Sequence, residues 1–516
     1  MKKVNEFEYG VQKKQALVHR FSRNANIHYR YPAFEGKEGT LPFEDDTVKI
    51  QEYILHHMEE QRPRLDELER YYEGLNASIL QKERRKEDFM ADHRAVHNFA
   101  QYISTFIQGY MTGIPIKTEY VAVEDENIVD EEQRMEYARQ ESEMVNEELQ
   151  ALNRINEADE HNSELVLDQS IFGRAYELIY RNREDELKFA KLDPKHTFVV
   201  YDVSVDRDPV AGVRYLKDFN DDSIYNVYVY TERNVTEYRM DVRKQNRLEF
   251  VDRQPCYFGG VQINEYENNS KRQGDFESVL SLIDLYDSAQ SDLANYSQDL
   301  NDAMLVIEGN VKMDISGAKD KKQANIMMLK PAIDPTGNVH PVRAYYIYKQ
   351  YDVAGMEAYK TRVMNDIFLI SNVPNLLDEK FSSNQSGEAL KMKLFGLAQK
   401  RATKERKFKK ALRNRYRLLR NNMFFASELD FDVEGLQITF TENMPRAISH
   451  EVEWFSNLGG ELSQETMLSL LSFVENPKEE RGKIESEQKE ESSITEMDFQ
   501  SYLNEGGDED ADNEPK

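Results

Sequence analysis

The sequence predicts a mainly α chain with α+β parts, divided into several domains. Three observations lead there. Apolar residues recur at helical spacing in several long stretches, β-branched and aromatic runs crowd residues 196–266, and 516 residues are too many for one compact core.

Residues 1–45 are polar and aromatic without a clear period, and read as an N-terminal arm that orders against a partner. From Thr47 the chain turns helical, with Ile50, Tyr53, Ile54, His57 and Met58 three and four residues apart. A second helix carries Leu65, Leu68, Tyr71 and Tyr72 and stops at Gly74; a third runs through Ile103, Phe106, Ile107 and Tyr110 to Gly113. Residues 121–160 read as a loop and then a charged helix. After Gly173 the pattern becomes strand at AYELIY. The runs HTFVVYDV, AGVRYL, SIYNVYVYT, NVTEYRM and RLEFV follow, separated by turn residues. Helix returns across 276–301 through Phe276, Val279, Ile283, Tyr286, Leu293, Tyr296 and Leu300. Residues 302–343 hold short strands between Gly/Pro turns, and Met356, Tyr359, Val363, Ile367 and Ile370 restore the helical period.

Next comes SNVPNLLDEKFSSNQSGEALKMK, residues 371–393. Pro374 ends the first helix because proline pushes its predecessor out of the helical region, and Asn384 or Ser386 can cap the next. About a dozen residues, Leu376, Leu377 and Phe381 among them, bridge two helices that a far shorter link could join. Residues 388–421 then read as one helix of about 50 Å. A β-like LQITFTENMP and a helix at SQETMLSLLSFV precede an acidic tail from residue 476 whose composition predicts disorder.

The formal net charge is −28, and it is unevenly placed. Residues 121–160 hold fourteen acids against three arginines, a net of −11; residues 475–516 hold fifteen acids against five bases, a net of −10. Lys391 to Arg420 instead carry thirteen cations and only Glu405. The whole-chain charge argues against a simple DNA binder, while one helix argues the other way. On that helix Lys393, Lys400, Lys404 and Lys407 form one line, and Arg406, Lys410, Arg413 and Arg417 another. Two readings stay open for these cations: contact with DNA phosphates, or contact with acidic surfaces in an assembly, the chain's own two acidic segments being available partners. No run approaches the roughly 20 apolar residues of a membrane span, the N-terminus lacks an apolar leader, and a lone Cys256 excludes a disulfide framework within one chain. A chain made in a cytosol, with no membrane partner, is expected.

Signals for catalysis are thin. GxxxxGK[ST] and GxSxG are absent from the sequence. His93 and His97 stand one helical turn apart, a spacing zinc accepts, but no third ligand accompanies them, so no metal or cofactor is expected. Asp202, Asp206 and Asp208 could serve a metal-dependent nucleic-acid-processing enzyme; turn chemistry, signalled by Asp208-Pro209, is the preferred reading. Cys256 reads as a small half-buried residue.

The ordered series RYYEGLN, IQGYMTGIPI, IFGRAYELIY, LIDLYDSAQSDLAN, SNVPNL with SSNQSGEALKMKL and the basic helix, then TENMPRAISHEVEW and SQETMLSLLSFVENP, resembles the portal proteins of tailed bacteriophages. The likeness is to those of long-tailed phages of Gram-positive bacteria, and runs from residue 50 to 480. One departure falls at Gln262 and Ile263, where the family commonly has a proline. The resemblance implies a non-enzymatic, dodecameric ring at one capsid vertex, through which double-stranded DNA enters and leaves. It implies a wing at 46–274 with its β-rich part at 196–266, stem helices at 275–301 and 344–371, and a clip at 302–343. It further implies a tunnel loop at 372–385, a basic helix spanning wing and channel at 386–435, a crown at 436–475 and an acidic tail at 476–516. The tunnel-loop set is then Asn372, Val373, Pro374, Asn375, Leu376, Leu377, Asp378, Glu379, Lys380 and Phe381, facing DNA without sequence specificity. Implied partners are the terminase large subunit, a head–tail adaptor, and the major capsid and scaffold proteins, met in the host cytoplasm during assembly and in the virion.

Overall fold

The computed structural model describes residues 29–32, 41–81, 91–123, 130–299, 304–308, 326–329, 343–347, 352–375, 387–426, 429–441, 443, 463–469, 471, 474 and 480–484. The chain divides into two compact units, Met1–Asn443 and Met444–Lys516.

The first unit opens with β1 (Tyr29–Tyr31), which pairs in parallel with residues 200–202. α1 (Thr47–His56) is capped by Asp46, whose side chain accepts from the Lys49 amide at 3.0 Å, and a π-helical turn carries it into α2 (Arg62–Tyr72). After α3 (Ala77–Leu80) comes α4 (Phe99–Thr112), capped by Asn98, and then β2 (Lys117–Tyr120). The acidic stretch forms α5 (Glu131–Ile155), started by Asp130, and α6 (Ala158–Phe172) follows. Gly173 ends α6 in the left-handed region at φ 81; a Cβ there would lie 2.1 Å from the Arg272 carbonyl oxygen, so only glycine lets residues 268–275 fold back so closely.

Eight strands then run from β3 (Arg174–Arg181) and β4 (Leu187–Leu192) through β5 (Thr197–Asp202), β6 (Pro209–Lys217), β7 (Ile224–Thr231), β8 (Asn234–Asp241) and β9 (Arg247–Pro255) to β10 (Ile263–Glu267). β1-β5-β6-β7-β8-β9 is one sheet and β10-β3-β4 another. Alternation decides the faces: Tyr225, Val227 and Val229 of β7 point to a core that also holds Ile50 and Ile54 of α1, Phe198 and Tyr215. Each such side chain contributes about 1.5–3 kcal/mol by leaving water. β9 buries only Leu248 and is the sheet's edge.

α7 (Leu280–Asp299) leads to a three-stranded sheet of β11 (Met304–Glu308), β12 (Ile326–Leu329) and β13 (Arg343–Ile347), with β11 in the middle. α8 (Val353–Ser371) returns beside α7. Lys360 meets Gln290 at 2.6 Å, while Ser371 and Asp275 share one lysine, so the two helices run antiparallel. α9 (Gly387–Phe425) has 39 residues and extends about 58 Å. It packs across β10, and β14 (Leu436–Thr439) closes the unit against β2. In the second unit, Ser463 Oγ accepts from the Thr466 amide at the start of α10 (Gln464–Ser469).

Three expectations change. The arm does not wait for a partner throughout: Tyr29, Tyr31 and Phe43 are buried against the chain's own sheet. LKFAKL, passed over in the sequence, is strand β4. The basic helix continues four residues beyond 421, to Phe425. Residues 1–28, most of 302–343, residues 376–386 and the acidic tail apart from 480–484 lie outside the described residues, and the expectations placed on them stay as they were.

Candidate functional site

The base of the 372–385 loop has a defined geometry. α8 ends with Asn372 in the left-handed region at φ 57. The Asn372 amide donates to Leu369 O at 3.3 Å and the Val373 amide to Phe368 O at 3.2 Å, a Schellman ending. Asparagine tolerates that conformation better than most residues, so Asn372 turns the chain before Pro374 forbids continuation. Val373 is buried, and Tyr102 donates to Pro374 O at 3.3 Å. The Asn372 side chain lies against Gly396 of α9, where a Cβ would stand 3.0 Å from its Oδ1. Asn372, Val373, Pro374 and Asn375 are thus placed, while Leu376, Leu377, Asp378, Glu379, Lys380 and Phe381 lie outside the described residues.

The inward cations of α9 are tied to the rest of the unit. Lys404 Nζ lies 2.6 Å from Asp275 Oδ2, both groups about 2% exposed, and Lys400 Nζ lies 3.1 Å from Oδ1 of the same carboxylate. Lys400 also donates to Ser371 O at 3.0 Å, joining the segment that leads into α7, the end of α8 and α9. Lys407 pairs with Glu267 at 2.7 Å, and Arg272 holds Glu265 and Glu267 at 2.6 and 2.7 Å. Further along, Arg415 meets Glu177 at 2.7 Å, both fully buried, with its guanidinium over the Phe189 ring. Glu177 also accepts from Tyr266 at 2.9 Å and faces His161 Nε2 at 2.8 Å.

These surroundings set the protonation. Burial alone would raise the Glu177 carboxyl, yet Arg415 and His161 hold it at about 2. Burial also works against Glu265, and Arg272 brings it to about 2. Asp275 is buried too, and Lys400 and Lys404 hold it well below the usual carboxylate range. Burial lowers Lys404 although Asp275 opposes the shift.

The expectation for the basic helix therefore divides. Lys404 is enclosed and engaged by Asp275, and is not available to a phosphate or a neighbour. Lys400 and Lys407 are partly exposed but engaged by Asp275 and Glu267. Lys393 lies in α9, and Arg413 is exposed. Within the described residues of 121–160, α5 meets α9 through an apolar cluster including Val145, Leu149, Tyr416 and Leu419 rather than through its acids; the acidic tail lies outside the described residues apart from 480–484. Arg406, Lys410, Arg413 and Arg417 are exposed and make no ion pair among the described residues. Lys410, Arg413 and Arg417 line a cleft of about 580 Å³ whose opposite wall includes Asp206 and Asp208.

The remaining candidates serve the fold. Asp202 caps the β5–β6 turn by accepting from the amides of Val203 and Ser204, and Arg207 there has a positive φ of 56. His97 Nδ1 faces Asp287 at 3.1 Å, and His93 faces Gln298, tying residues 91–98 to α7. Among the described residues, no three His, Cys, Asp or Glu side chains converge as a metal site. Cys256 is half-buried, and burial raises its thiol. No helix among the described residues is long and apolar enough to cross a membrane. At the departure noted for Gln262 or Ile263, the Gln262 side chain donates to Ile179 O at 3.0 Å, and β10 starts at Ile263.

Sequence reasoning missed Glu177, Glu265, Glu267 and Asp275 as partners. Only Glu177 carried a signal: it shares strand parity with Ala175 and Ile179, both fully buried. A carboxylate on an inward face demands a cation, and nothing local said which.

Antiparallel paired helices, a small three-stranded sheet, a β-rich body and a long cationic helix define a chain of α+β build. The family model described as phage portal protein, SPP1 Gp6-like, matches residues 51–493, and the chain belongs to that family. Among known proteins, the portal protein of Bacillus phage SPP1 is similar to it: 24% identical over 490 residues, covering 90% of this chain and 91% of the relative.

Proposed function

We propose that the chain is the subunit of a closed dodecameric ring at one capsid vertex, the conduit for DNA packaging and ejection. The observation that carries this reading is the junction at Lys400 between α9, the end of α8 and the segment that leads into α7, in a chain that matches a portal family over 51–493. It ties the base of the 372–385 loop to the 39-residue α9. A loop joining two packed helices would line a constriction once copies are arranged around an axis.

In this reading residues 46–274 are the wing, 275–301 and 344–371 the stem, 302–343 the clip, 372–385 the tunnel loop, and 436–475 the crown. Two stem helices of 20 and 19 residues give a channel wall about 30 Å tall. The clip would dock the terminase large subunit during filling and a head–tail adaptor afterwards, while capsid and scaffold proteins would meet the wing. The subunit's net charge of −28 suits a channel that must let DNA slide, since each lysine–phosphate contact would strengthen binding. The role is mechanical rather than catalytic.

The test is to replace Leu376, Leu377 and Phe381 with Asp and follow ring formation beside DNA packaging or retention. Intact rings with impaired packaging are expected. Loss of ring assembly would mean that these residues are core, and normal packaging would remove the loop from the mechanism.

A further inference from the structure

We propose that the outward face of α9 in one subunit docks onto the outward face of α5 in the next copy of this chain, basic stripe against acidic stripe. The inference rests on the ring reading above and names surfaces that close it.

Arg406, Lys410, Arg413 and Arg417 stand at positions 0, +4, +7 and +11 of one helix, and all four are exposed. The face opposite them is buried through Lys404, Phe408, Ala411, Arg415 and Leu419, so the stripe lies away from the packed face, with Lys410, Arg413 and Arg417 lining the cleft. On α5, Glu136, Gln140, Glu143 and Glu147 stand at the same 0, +4, +7, +11 spacing and are likewise exposed. Their opposite face is buried through Ala138, Val145, Leu149 and Leu152. Each stripe spans about 17 Å. Because the spacing reads identically in both directions, the two can match whether the helices cross parallel or antiparallel.

Three further facts favour a protein partner. First, subunits of charge −28 repel one another, so a ring needs its unengaged cations where neighbours meet. Second, the flank beside the acidic stripe exposes Tyr137 (61%) and Met144 (52%), apolar area suited to burial between copies. Third, Asp206, Asp208 and Glu434 stand in the same cleft as Lys410, Arg413 and Arg417. Fixed carboxylates there weaken the pull on a polyanion such as DNA, while short-range pairing with separate glutamates survives. Within α5 the stripe's own partners are weak: Arg139 pairs with Glu143 at 3.0 Å, but both are largely solvated.

The experiment uses the full chain and counts rings by native mass spectrometry and electron microscopy. Arg413→Glu with Arg417→Glu, and separately Glu143→Lys with Glu147→Lys, should each lower the ring fraction about tenfold at fixed concentration. The four changes combined should restore it. Urea unfolding of each variant should match the unchanged protein, since all four side chains are exposed. Independently, Arg413→Cys with Glu143→Cys in a Cys256→Ser chain should give a ladder of cross-linked oligomers. Rings undiminished by reversal, reversal without rescue, or no ladder would each overturn the assignment. Rings that persist while DNA binding falls would overturn it in favour of phosphate contact. If the unchanged protein forms no ring, the portal reading fails first and this one with it.

Discussion

The two faces of α9 use the same residue types for opposite ends. On the inward face Lys400, Lys404, Lys407 and Arg415 are engaged by Asp275, Glu267 and Glu177, acids that lie 125 or more residues earlier in the chain. On the outward face Arg406, Lys410, Arg413 and Arg417 meet no carboxylate among the described residues. A buried ion pair seldom adds much over apolar packing, but breaking one leaves a charge without water or partner. The inward cations thus specify where the helix sits, and the outward ones leave its surface open to another molecule.

Acid should break the inward face most completely. Glu177 and Glu265 sit at about 2 in the fold against an ordinary 4.5, so their contribution is fully present above about pH 4.5 and is lost as pH falls toward 2. Asp275, also depressed, adds to the same loss. Chemical-denaturation midpoints should therefore fall steeply below pH 4.5. A flat profile between pH 5 and 3 would contradict the pairing.

Next in size, Asp275→Ala strands the Lys404 ammonium and should cost about 3–5 kcal/mol in urea unfolding. Asp275→Leu combined with Lys404→Met should recover most of that loss; if the pair is no better than the single change, the ion pair is not the cause. A smaller effect is expected at the helix end. Asn372→Val places a β-branched residue in the left-handed region and should cost about 1–2 kcal/mol, whereas Asn372→Gly should be close to neutral. Smallest of all, Lys410→Ala on the outward face should move subunit stability by less than about 0.5 kcal/mol. A larger loss would place Lys410 among the structural cations.

How far the sequence carried this comparison depended on range. Period alone placed α1, α4, α7, α8 and α9, because amphipathic spacing is a local property. It also separated two cationic lines on α9: Lys400, Lys404 and Lys407 are partly or fully buried, while Arg406, Lys410, Arg413 and Arg417 are exposed. The partners could not be read, since Asp275 and Lys404 lie 129 residues apart in the chain. LKFAKL carries a weak strand signal because two lysines interrupt a short apolar run. Tyr29–Tyr31 carry none, since three residues are too few to show a period and are ordered by pairing with β5. At the loop, Pro374 was the visible stop, but the turn is made two residues earlier by Asn372, whose left-handed conformation has no sequence signature as strong as glycine's. The family likeness supplied the arrangement that pattern alone could not, by naming the order in which the motifs occur.

The most direct measurement is the image of the purified, full-length protein by electron microscopy. The account predicts closed rings with a central hole and a stem as deep as α7 and α8 are long, about 30 Å. Monomers alone, or rods and open filaments, would contradict it.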